Sequence, residues 1–98
     1  MEVERTEHGR VSVSQGALKR LIVEAAQQVE GARVRRPRRA LRVELRGGAA
    51  RVEVELAVRR GRVLPEVARE VQQRVAGALE EALEAPVEAV DVTVAEVL

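Results

Sequence analysis

The stretch Arg10-Val11-Ser12-Val13-Ser14 alternates polar and apolar residues, the period of a strand with one buried face. At Gln15 the period lengthens. Leu18, Leu21, Ile22, Ala25, Ala26 and Val29 recur at helical spacing, while Lys19, Arg20, Glu24, Gln27 and Gln28 fall on the opposite side. Ser14 is placed to cap this helix, its hydroxyl accepting from a first-turn N–H that has no partner within the helix. Gly31 is placed to end it, because glycine takes the left-handed conformation without steric penalty.

Two further alternating runs, Ala40 to Arg46 and Ala49 to Arg59, flank Gly47-Gly48. A Gly-Gly pair accommodates the positive φ angles of a type I′ turn, so the runs predict a two-residue hairpin. That turn sets Arg46 opposite Ala49, Leu45 opposite Ala50, Glu44 opposite Arg51, Val43 opposite Val52, Arg42 opposite Glu53 and Leu41 opposite Val54. The apolar residues then meet on one face, and both full-charge pairs on the other are opposite in sign. A slip of one residue would invert every face.

Pro65 suits the first turn of a second helix, and Glu66 puts negative charge near its positive end. Apolar residues at Leu64, Val67, Ala68, Val71, Val75, Ala78, Leu79, Ala82 and Leu83 form a stripe to about Glu84, and Pro86 stops it. Val90 to Ala95 alternates again as a last strand. Each strand is apolar on one face only, so the sheet is covered on that face and open on the other. The reading is an α+β domain in the order β-α-β-β-α-β. Two helices lie on one face of a four-stranded, largely antiparallel sheet, a ferredoxin-like split βαβ plan whose strand order the pattern leaves open. Residues 1–98 form a single domain, with residues 1–8 as a loose N-terminal segment.

Composition removes chemistry rather than supplying it. The 98 residues include no Cys, Trp, Tyr or Phe. That excludes disulfides, thiolate-ligated metals and a thiol nucleophile, and it removes the aromatic platform on which single-stranded nucleic acid stacks. Lys19, Asp91 and His8 are each the sole residue of their type, and the only hydroxyls are Thr6, Ser12, Ser14 and Thr93. A catalytic site needs several different polar groups converging, and nothing in the spacing of the glutamates singles out a pair. No catalytic, cofactor-binding or metal-binding residue is assigned; His8, alone beside a glycine, offers no metal site. No small-molecule substrate is expected. The charged N-terminus lacks a secretory h-region and no run approaches a membrane span, so the expectation is a cytoplasmic, non-enzymatic protein.

Charge is the sharpest local signal. The formal net charge is only +1, yet residues 33–46 carry seven arginines against Glu44, whereas residues 66–98 carry eight acids against Arg69 and Arg74. Arg33, Arg35, Arg36, Arg38 and Arg39 form a candidate interaction patch in a loop around Pro37. Such a patch suits a protein partner, anionic lipid heads or head-to-tail self-association, and it suits nucleic-acid phosphates as the alternative function.

Three segments resemble the alkaline shock protein family. They are Gly9 to Ser14 with the helix closing on Val29-Glu30-Gly31-Ala32, Val54 to Gly61 leading into Leu64 to Gln72, and Val87 to Val94. The match runs from about His8 to Val97. The chain departs from that pattern at Arg60, where the family often has Tyr, at Glu84-Ala85-Pro86, where it often has Thr-Gly, and at Ala32, where Val is common. The resemblance implies a bacterial, non-enzymatic protein of cell-envelope stress or homeostasis that acts by protein–protein contact or self-association. It also implies, for some members, an integral-membrane anchor protein holding them at the inner face of the membrane, and for some shorter ones a link to lipid metabolism.

Overall fold

A computed structural model describes residues 2–5, 9–12 and 14–98. Glu2–Arg5 (β1) and Gly9–Ser12 (β2) pair with each other, antiparallel, as a two-stranded sheet. Gln15–Gln27 (α1) is followed by Ala32–Val34 (β3), Arg42–Arg46 (β4), Ala49–Val58 (β5), Leu64–Leu83 (α2) and Val87–Val97 (β6). Strands β3 to β6 make a four-stranded sheet separate from the β1–β2 pair.

β5 is the spine of that sheet. Along one edge it pairs antiparallel with β4 through Ala49–Glu53 and with β3 through Leu56–Val58, so the two short strands lie end to end. Along the other edge it pairs parallel with β6 over nearly its whole length. A parallel neighbour requires a crossover, and α2 supplies it: 20 residues at about 1.5 Å each roughly match the length of β5.

The hairpin register is the one the alternation predicts, from Arg42 opposite Glu53 to Arg46 opposite Ala49. Gly47 and Gly48 both have positive φ, 60° and 81°, which the two-residue turn requires. The Ser14 hydroxyl accepts from Ala17 N–H at 3.1 Å, so the predicted cap is in place. Both helices cover a single face of the sheet. Leu18, Ile22, Ala26 and Val29 of α1 and Val67, Val71, Val75 and Leu79 of α2 are buried against Val52, Val54, Leu56 and Val58 of β5. This α+β plan is the ferredoxin-like class expected from the sequence.

Strand order corrects one expectation. The alternating run at Arg10–Ser14 reads as a member of the sheet, but β2 pairs with β1 instead. The place beside β5 goes to β6, whose eleven residues span the ten-residue spine where a four-residue strand would leave most of it unpaired. The fourth strand comes from Ala32–Val34, inside the basic run read as a loop. Met1, Thr6, Glu7, His8 and Val13 lie outside the described residues.

Candidate functional site

The five arginines of the basic run are divided by the edge of the sheet. Arg33 faces Ala57 across the β3–β5 pairing, on the face away from the helices. Arg35 N–H donates to the Glu55 carbonyl at 2.8 Å, which extends that pairing by one step. The chain then leaves the sheet in a tight turn, in which Arg39 and Ala40 N–H both donate to the Arg36 carbonyl. Arg36 has φ 45°, a left-handed conformation that costs a non-glycine residue roughly 1 kcal/mol or more. The excursion rejoins the edge as β4, so the basic turn interrupts an edge strand.

Glu55 holds the base of this turn. One carboxylate oxygen accepts from Arg35 Nη1 at 3.0 Å and the other from Arg36 Nη2 at 3.2 Å. The Glu55 side chain is only 17% exposed, and Arg35 Nε lies 3.7 Å from Glu96 on β6 as well. Two of the five predicted patch residues are therefore ion-paired, Arg36 with 57% of its side chain still exposed, and the unpaired charge is that of Arg33, Arg38 and Arg39. These three are exposed and form no ion pair among the described residues. Arg36, Pro37, Arg38 and Arg39 enclose only an open dent.

The outer face of the sheet is a mixed-charge layer. Arg51 lies 3.6 Å from Glu88 and 3.9 Å from Asp91, and Arg46 lies 3.4 Å from Glu44. Exposed pairs of this kind contribute about 0–1 kcal/mol each and leave the face well solvated. Between the helices a groove of about 230 Å³ is lined by Leu21, Gln28, Arg74 and Gly77, and Arg74 donates to Gln28 across it at 3.2 Å. Among the described residues no group of three or more His, Asp or Glu is placed to hold a metal ion. His8 lies outside them. No helix among the described residues is long and apolar enough to cross a membrane.

One feature escaped the sequence reading. β6 runs along the open side of β5 with no strand beyond it among the described residues, and Val92 and Val94 on its helix-facing side stay partly exposed. Its alternation was visible, but alternation marks a strand and does not say whether the strand ends up central or at an edge.

No family model matches the chain, and no curated protein does. Solved structures do. The MamM C-terminal domain in a copper form is similar at 25% identity with a TM-score of 0.66, covering 86% of this chain and 86% of that one. A cadmium form of a single-residue MamM variant is similar at 25% identity and TM-score 0.58, over 85% of this chain and 98% of that one. A nickel form of another variant, at 24% identity and TM-score 0.57 over 84% and 98% of the two chains, shares the fold.

These matches overturn the alkaline shock resemblance. The structures that share the fold are MamM C-terminal domains, and the alkaline shock family is not among the models that match. The resemblance rested on glycines, prolines and valines in order, which is what any α+β chain with these turns and helix ends requires. Envelope stress, inferred from that resemblance alone, goes with it. Of the loop offered for nucleic acid, Arg35 and Arg36 are paired with Glu55, whereas Arg33, Arg38 and Arg39 are not.

Proposed function

We propose that this chain is a protein-interaction domain that works by self-association and carries no catalytic step of its own. The observation that carries the reading is the likeness to the MamM C-terminal domain across 86% of both chains. That neighbour is by name one end of a longer protein. We extend the arrangement to this chain: a regulatory module of the kind found at the C-terminus of cation diffusion facilitators, set beside a larger partner at the cytoplasmic face of a membrane.

Composition supports the non-enzymatic part, since a chain with a single His, a single Lys and no Cys has few groups to combine into a nucleophile, base and orienter. The same composition separates this chain from its neighbours' metals. Copper, cadmium and nickel favour imidazole and thiolate donors. Here there is no thiol, the sole imidazole is His8, and no three acidic or His side chains converge among the described residues. The donor set does not fit those ions, so no metal-driven step is assigned and association is read as metal-independent.

Size-exclusion chromatography with light scattering across a dilution series tests the proposal. A mass rising towards twice that of one chain with concentration supports it. The mass of one chain at every concentration overturns it.

A further inference from the structure

We infer that two copies of this chain join edge to edge through β6, antiparallel, about a two-fold axis at Val92, giving one continuous sheet across the pair. The inference rests on the self-association reading and assigns it a surface.

The edge carries bulges at Glu88 and Ala95 and is open between them. Sheet edges that must stay single carry lysine, proline or a bulge. Between the two register shifts of β6, at Glu88 and Ala95, the stretch Ala89 to Val94 has none of these, and Asp91 is its only charge. Gln72 of α2 donates to the Val90 carbonyl at 3.1 Å. That contact marks Val90, and by alternation Val92 and Val94, as the residues whose backbone groups turn away from β5. A carbonyl has a second lone pair, so Gln72 leaves Val90 able to accept again.

The edge also complements itself. With the axis at Val92, Val92 meets its own copy and Val90 meets the partner's Val94, so the outward-turned backbone groups meet in hydrogen-bonded pairs. Those valines continue the helix-covered layer, where Val92 and Val94 are only partly buried in the single chain. On the other face Asp91 meets the partner's Thr93, a hydroxyl donor opposite a carboxylate. Like charges first come near each other at Glu88, itself at a register shift, and the partner's Glu96. An axis at Asp91 would instead put two carboxylates face to face, which is destabilising.

Thr93 is exposed on the outer face opposite Glu55 of β5, so the thermal stability of each variant is read alongside its pairing. Thr93→Lys sets two opposite-charge pairs across the axis, each with Asp91 of the other copy, and is expected to tighten association roughly threefold or more. Thr93→Asp sets carboxylates opposite each other and is expected to weaken it by a similar factor. Sedimentation equilibrium of the full chain and both variants reads the result. Opposite shifts of the two variants support the edge pairing. A wild-type dimer that neither variant alters overturns the edge assignment while leaving self-association standing. A wild type that stays monomeric overturns both.

Discussion

A methyl group on Gly31 would lie 2.9 Å from Cγ of Arg62. The stem of Arg62 rests against the point where α1 hands over to β3, tying the first half of the chain to the loop that enters α2. Arg59 braces the same corner, its N–H donating to the Gly31 carbonyl at 2.8 Å and its guanidinium to Glu30 at 2.9 Å. Gly31 is thus constrained twice, by its φ of 86° and by the close stem.

Gly31→Ala is expected to lower stability by about 2 kcal/mol, combining left-handed strain with displacement of Arg62. Urea denaturation measures the loss. Adding Arg62→Ala in the same chain relieves the steric part, so the two substitutions together cost less than the sum of their separate losses.

Glu55→Gln removes the carboxylate shared by Arg35 and Arg36. Because Glu55 is largely covered, the loss exceeds that of a surface pair, and about 1–2 kcal/mol is expected. The released arginines also raise attraction to polyanions. The variant elutes from heparin at higher salt than wild type, whereas Glu44→Gln, which unpairs exposed Arg46, changes stability by less than about 0.5 kcal/mol.

Leu56 and Leu45 look alike in the sequence, each an apolar residue on the inner face of an alternating strand. Leu56 is fully buried beneath the helices and Leu45 is 39% exposed beside the hairpin turn. Leu56→Ala is expected to cost about 3 kcal/mol and Leu45→Ala less than about 1 kcal/mol, read from denaturation midpoints.

That contrast marks what was legible in the sequence. Periodicity, caps and the Gly-Gly turn fixed local elements and one register, because those signals act over a few residues. The apolar faces also told which side of the sheet the helices cover. Which strands become neighbours depends on matched lengths and crossovers, so the slot beside β5 taken by β6 was not legible, and neither was the exchange of β2 for β3. The three-residue strand Ala32–Val34 was hidden because Pro37 and five nearby arginines gave the segment the character of a loop. At the candidate site the arginines were legible as charge but not as contacts. Glu55 sits twenty residues beyond Arg35 and reaches it only through the β3–β5 pairing. The family resemblance failed for a related reason, since turn glycines and helix-start prolines belong to the architecture before they belong to any lineage.

We propose that this domain pairs with its own kind without a metal. Sedimentation equilibrium of the full chain, first stripped with a chelator and then supplied with cupric ion, tests that most directly. The same concentration-dependent dimer is expected in both samples. A chain that stays single in both, or that pairs only when copper is added, contradicts it.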